Sequence, residues 1–272
     1  MHPIAIFFCR FALAYAGLLL YSLITGGQHK FWYGWKEEAV FLLLGVSGGS
    51  LYFIAENSSL MYTQASNTSF LVSSTPLLTA ILTLAFGRFG RGRFADNVEK
   101  FHAGWLFAAG TVLALGGMGL MIFEGSRIQL SAKGDLLAIG AALVWAVYSI
   151  FMGRMILDYG TTTVTRKVFF YGLLTIIPFL CLCPDSFSLS ILGRTRVWTN
   201  LLFLGLVASL GCYLVWNLVI NKLGNVTATN YLYLNPIFTL IFAMILLGER
   251  MTPLAATGAA AIMLGVICAD RR

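Results

Sequence analysis

The chain has 272 residues, 58% hydrophobic and 11% charged, with a mean hydropathy of +0.82. That much apolar surface cannot be hidden in one soluble core, which excludes a cytosolic globular enzyme or binding domain. The net charge of +7 is spread over short connections with no basic stripe interleaved with aromatics, so nucleic acid is excluded as a partner.

Nine apolar segments fall at roughly membrane length, about 20 residues with some shorter. They lie at 4–24, 38–62, 66–87, 104–123, 134–153, 168–185, 201–220, 227–247 and 254–269. None alternates as a barrel strand would, and in lipid the backbone polar groups need partners within the segment. The predicted fold class is therefore an all-α integral membrane protein with nine transmembrane helices.

The first segment has no basic n-region and no cleavage site, so it reads as a retained helix, and it carries Arg10. The second holds Gly45 and Gly49, then Tyr52, Glu56 and Asn57, with Tyr52 and Glu56 on one helical face. The third places Ser69, Ser73 and Pro76 on one face, with Thr75 directly before the proline. A basic connection from Arg88 to Ala103 follows and reads as a solvated loop. The fourth is rich in small residues (Gly110, Gly116, Gly117, Gly119). The fifth starts at Ser131-Ala132-Lys133-Gly134-Asp135 with acid in its first turn, and puts Trp145 and Tyr148 on one face. The seventh does the same with Tyr213, Trp216 and Asn217. The eighth carries Asn230, Tyr233 and Asn235, not on one strict stripe, and then Pro236. The ninth repeats the small-residue composition of the fourth, including Gly258 and Gly265. Such faces let membrane helices approach closely, within the bundle or across a homodimer, and packing within the chain is the default.

Basic residues in the connections report topology. One side holds Lys30, Lys36, Arg88, Arg91, Arg93, Lys100, Arg154, Arg166, Lys167, Lys222, Arg271 and Arg272; the other holds Arg127, Lys133, Arg194, Arg196 and Arg250. That excess places the first side, with the C-terminus, in the cytoplasm. The five cysteines show no metal spacing and read as small packing residues, so no metal and no cofactor is expected.

Two stretches read alike. One runs from Tyr52 through Glu56-Asn57 to Thr75-Pro76 and Phe86-Gly87; the other runs from Tyr213 through Trp216-Asn217 to Asn235-Pro236 and Leu247-Gly248. Lys133-Gly134-Asp135-Leu136-Leu137 leading to Ala142-Leu143-Val144-Trp145-Ala146, Asn235-Pro236-Ile237 before Gly248-Glu249-Arg250, Thr257-Gly258, Leu264-Gly265-Val266, and Pro3 with Arg10-Phe11 together resemble the EamA-type permeases of the drug/metabolite transporter superfamily. The resemblance covers essentially the whole chain. It implies ten helices in two inverted repeats of five, here residues 1–130, lacking the first helix, and 131–272. It also implies a multi-pass protein of a bacterial plasma (inner) membrane that moves a small-molecule solute, export being the commoner direction. In the first repeat Gly87 is followed by Arg88 where the family has Glu.

Charged groups inside the bilayer are costly unless paired or hydrated. Glu56 and Arg10 are the two set well inside spans, each six residues from the outer end and so roughly 9 Å below the interface. They are expected to pair, directly or through water. Tyr52, Glu56, Asn57, Ser69, Ser73, Trp145, Tyr148, Tyr213, Trp216, Asn217, Asn230, Tyr233 and Asn235 are the expected cavity lining, between the halves. Against these stand interhelical packing for each Ser and Thr and the interfacial belt for each Trp and Tyr. Pro76 and Pro236 should kink their helices. The expected function is a secondary transporter acting by alternating access in a lipid bilayer. The alternative is a truncated or non-transporting protein of the same fold. The motifs HExxH, GxSxG and GxxxxGK[ST] are all lacking, which argues against an embedded enzyme and against ATP-driven transport on this chain.

Overall fold

In the computed structural model the described residues are 3–24, 31–89, 104–122, 131–182, 195–247 and 252–270, and among them every regular element is helical. Among the described residues eight helical spans are long and apolar enough to cross a membrane, one of them, Asn67–Phe86, made of the two helices Ala65–Val72 and Thr75–Phe89. In chain order α1 is Pro3–Ile24 and α2 is Trp35–Ser59. Ala65–Val72 forms α3 and Thr75–Phe89 forms α4. Then come α5 (Trp105–Ile122), α6 (Ala132–Tyr159) and α7 (Thr161–Leu182). The next helix, α8, joins Thr195–Leu202, Phe203–Gly211 and Cys212–Leu223. Asn225–Asn230 is α9, Asn235–Leu247 is α10, and Pro253–Asp270 is α11.

The segment expected as one helix over 227–247 is broken: α9 ends at Asn230 and a 3₁₀ turn, Tyr231–Leu234, leads into α10. The third predicted span breaks in the same place, between α3 and α4, just before its proline. Proline explains both breaks, since each ring removes an amide donor and frees the carbonyl four residues back. For Pro76 that carbonyl belongs to Val72, and the Thr75 hydroxyl donates to it at 2.6 Å. For Pro236 it belongs to Leu232, and the Asn235 backbone amide takes it. A second repeated irregularity precedes the paired tyrosines. The backbone is π-helical over Val46–Ser50, just before Tyr52, and over Phe203–Gly211, just before Tyr213.

Helix ends follow local chemistry. Gly160, at φ 77°, terminates α6 by giving its amide to Ile156, and its carbonyl accepts the first-turn amide of Val164 in α7. Thr252 caps α11 through the Ala255 amide at 3.1 Å, with Pro253 at the first helical position. Ser131 and Asp135 bracket the start of α6, the Asp135 carboxylate accepting the Ser131 amide at 3.1 Å.

The helices form two compact units that interleave the halves of the chain. Unit 1 is Met1–Asn57 with Tyr148–Lys222, and unit 2 is Ser58–Val147 with Leu223–Arg272. In unit 1, α7 packs against α1 and α2, and α1 also packs against α8. The Phe7, Phe11, Phe53, Phe169 and Tyr213 rings form its aromatic core, with centroids 4.1–6.1 Å apart. In unit 2 the main contact joins α5 and α11 along their small residues. A Cβ on Gly110 or Gly117 would lie 2.5 Å from the carbonyl oxygen of Gly265 or Gly258, respectively. The small-residue faces of the fourth and ninth segments are thus used within the chain. Gly116 and Gly119 of the fourth segment are not part of that contact.

Candidate functional site

Unit 1 collects most of the polar residues singled out above. At its centre the Asn217 side chain of α8 is fully buried. Its oxygen accepts the Tyr148 hydroxyl of α6 at 3.0 Å, and its amide donates to Thr165 Oγ1 of α7 at 2.8 Å. A buried amide needs such partners, so three helices are tied at one point. The Tyr213 hydroxyl donates to the Gly48 carbonyl at 2.5 Å. Gly48 lies in the π-helical stretch of α2, and a Cβ there would drive into the Tyr148 ring. π-Helical turns recur at functional sites because they re-aim side chains and carbonyls. Trp216 is half-buried on the same helix.

Arg10 and Glu56 lie near this cluster, both half-buried. They are close enough to interact electrostatically but do not form a direct ion pair. Arg10 donates from Nε to Ser209 Oγ at 2.7 Å, and its guanidinium lies 4.8 Å from the Phe53 ring centroid. The Glu56 carboxylate accepts the Tyr52 hydroxyl at 3.1 Å. Asn57 turns back onto its own helix, donating to the Phe53 carbonyl at 2.7 Å.

A further charged cluster in unit 1 was not anticipated. The span predicted at 168–185 begins at Thr161, which brings Arg166 and Lys167 inside α7, 4% and 6% exposed. Lys167 Nζ meets both carboxylate oxygens of Glu38, at 2.6 and 2.8 Å, and donates to the Phe31 carbonyl at 2.5 Å. Glu38 also accepts the Tyr171 hydroxyl at 2.5 Å and the Tyr33 amide at 3.1 Å. Arg166 lies over the Phe31 ring, 5.6 Å from its centroid. The signal was present in Gly160 followed by three threonines, a helix stop and restart.

Ser69, Ser73, Trp145, Asn230, Tyr233 and Asn235 belong to unit 2. Ser69 and Asn235 are exposed at the surface of the helices, Trp145 is half-buried, and Ser73 folds back onto the Ser69 carbonyl at 2.7 Å. Asn230 and Tyr233 are sealed inside unit 2. Near the start of α6, Asn67 bridges Asp135 at 2.5 Å and Thr63 at 3.1 Å, and Lys133 donates to the Tyr62 hydroxyl at 2.9 Å. The connection beyond Phe89 and the Gly248-Glu249-Arg250 turn lie outside the described residues. Among those described, no group of three or more His, Cys, Asp and Glu side chains is placed to hold a metal ion.

Known proteins resemble this chain in sequence and in fold. An uncharacterized transporter of Archaeoglobus fulgidus is 28% identical, the match covering 98% of this chain and 87% of that protein. A probable terminal-alkyne amino-acid exporter of Streptantibioticus cattleyicolor is 24% identical, over 87% of this chain and 74% of the exporter. One solved crystal structure superposes with a TM-score of 0.79 at 17% identity, covering 100% of this chain and 89% of that one, a likeness of fold alone. The two sequence relatives are named as a transporter and an exporter. The model of the EamA-like transporter family matches residues 1–89 and 132–269, most of the chain, and with helices, polar spans and relatives in agreement this membrane protein belongs to that family.

Proposed function

We propose that the protein is a secondary carrier that exports a small amphipathic solute by alternating access, and that the solute is an amino-acid-like zwitterion. The observation that carries this reading is the Arg10 and Glu56 arrangement in unit 1. A positive and a negative group sit near each other without direct contact, each held by a neutral neighbour, Ser209 or Tyr52. Arg10 suits a carboxylate and Glu56 an ammonium group. The aromatic rings of Phe53, Tyr52 and Tyr213 supply an apolar wall beside them. The name of the Streptantibioticus relative, an amino-acid exporter, supports the same substrate class and direction. Two sequence repeats, divided near residue 130, support alternating access. Their proline-bearing spans are five crossings apart and so run in opposite directions. The charge bias of the connections supports a cytoplasmic C-terminus.

Counterflow of labelled amino acids into liposomes containing the purified protein tests the reading. Losing one charged hydrogen bond of about 1.5–3 kcal/mol raises KM roughly 10- to 150-fold. Arg10→Gln should do this for amino acids and leave the matching decarboxylated amines unchanged; Glu56→Gln should act on the amines as well. Folded variants that transport with wild-type KM sink the zwitterion assignment. A normally folded Glu56→Gln with an unchanged pH dependence of transport removes any part for Glu56 in proton coupling.

A further inference from the structure

Unit 2 contains polar groups that the transport reading leaves unused. Thr79 Oγ1 and Thr83 Oγ1 on α4, Thr111 Oγ1 on α5, Asn230 Oδ1 at the end of α9 and the Tyr233 hydroxyl are sealed from solvent. Among the described residues none of these atoms has a hydrogen-bond partner of ordinary geometry. Each of the five residues is at most 3% exposed.

Apolar contacts fix their levels. Ala80 of α4, Phe107 of α5 and Val226 of α9 meet in one cluster with Ala269. Ala114 of α5 and Tyr233 meet in the next, with Met118, Ile262 and Val266. The α5 helix therefore touches the 231–234 turn directly and meets the 225–230 helix through the cluster that includes Ala269, with 107 towards 226 and 114 towards 233. Thr111 and Asn230, each one turn beyond an anchor, fall between the two clusters. Val226 meets Ala80 while the Tyr233 hydroxyl approaches the Leu77 backbone, so α4 runs the opposite way. Counting back from the Ala80–Val226 contact, Asn230 is level with Pro76, so Thr79 lies within one turn of that level and Thr83 about a turn farther out.

We propose that this level of unit 2 is a site for ordered water, bridging Thr79, Thr111, Asn230 and Tyr233. The donor inventory selects the ligand. Asn230 Oδ1 can only accept, so its partner must donate, while the three hydroxyls can do either. A buried water typically makes about three hydrogen bonds to groups otherwise unsatisfied, so one or two waters would serve the four groups here. A bare cation fits worse, because no carboxylate is among these atoms to offset its charge. The place also has a use. Asn230 precedes the break before Pro236 and Tyr233 lies within it, and Leu77 and Thr79 follow Pro76. Water at this level gives the broken helices exchangeable partners as they bend. The proposal goes beyond the transport reading and does not depend on it.

Hydroxyl-radical footprinting by X-ray pulses, in oxygen-18 water with the full chain in lipid nanodiscs, tests it. Radicals formed at a bound water label the side chains beside it even when bulk solvent has no access. Tyr233 and Met118 should label rapidly, whereas Tyr148 and Met152, equally buried in unit 1, should not. Asn230→Leu with Thr79→Val should cut that labelling severalfold; Tyr233→Phe, read at Met118, serves if the double variant does not fold. Tyr233 labelled no faster than Tyr148 in the wild type overturns the proposal. Labelling that disappears when sodium chloride replaces choline chloride also overturns it, in favour of a cation.

Discussion

Replacing Lys167 by methionine strips one partner from the buried ion pair and keeps most of the apolar stem, so little cavity is left behind. Glu38 would lose two charged contacts, at 2.6 and 2.8 Å, and keep only the Tyr171 hydroxyl and the Tyr33 amide. At 4% exposure water cannot replace what is lost. Removing one partner of a buried pair costs about 3–5 kcal/mol, and the bond to the Phe31 carbonyl adds about 1 kcal/mol. Removing all the polar groups together is a different perturbation. Glu38→Leu, Lys167→Met and Tyr171→Phe combined should lie within about 2 kcal/mol of the wild type, because no charge is left stranded. Tryptophan fluorescence during detergent-driven unfolding measures both. A lysine variant costing less than about 1 kcal/mol, or a triple variant costing the sum of its parts, refutes the buried-pair account.

Other perturbations separate the remaining contacts. Gly117→Val forces a side chain against the Gly258 carbonyl and should prevent α5 from meeting α11, read as loss of monodisperse protein in detergent; Gly116→Val, facing open space, should be tolerated. Thr75→Val strands the Val72 carbonyl at a cost of about 1–3 kcal/mol, and Pro76→Ala should largely rescue it by restoring an amide donor, a coupling that a double-mutant cycle of unfolding energies measures. Asn217→Leu should destabilise by about 2 kcal/mol because it removes the bonds to the Tyr148 and Thr165 hydroxyls, and adding Tyr148→Phe should cost less than the two single effects summed, by the same unfolding measurement.

Spans and the breaks before the prolines were legible because they are written in composition and spacing. Thr75 stands directly before Pro76 in the sequence, and its hydroxyl reaches the freed carbonyl. Tyr148 and Asn217 could be singled out as polar groups within spans; that they bond one another is tertiary information that no periodicity holds. The Lys167 and Glu38 pair escaped for a local reason. Both stand beside the predicted limits of their spans, where charge reads as loop, and the real helices start about three and seven residues earlier. Of the two asparagines expected in the cavity lining, Asn235 is exposed and Asn230 is sealed in. The 3₁₀ turn between them changes the angle per residue, so a face projected at 3.6 residues per turn is wrong on one side of the break. The division into two units crosses both halves of the chain, and only long-range packing could reveal it.

The pairing of α5 with α11 has a consequence for how the protein is made. More than a hundred residues separate Ile122 from Pro253, so at about 5–20 residues per second α5 waits on the order of ten seconds for its partner to be synthesised. During that interval its glycine face is open to lipid or to other helices that approach closely. Unit 2 cannot close until α11 has been synthesised. A nonsense codon just before Pro253 would therefore leave α5 without its partner, and Gly110 and Gly117 mark where an insertion chaperone would have most to protect.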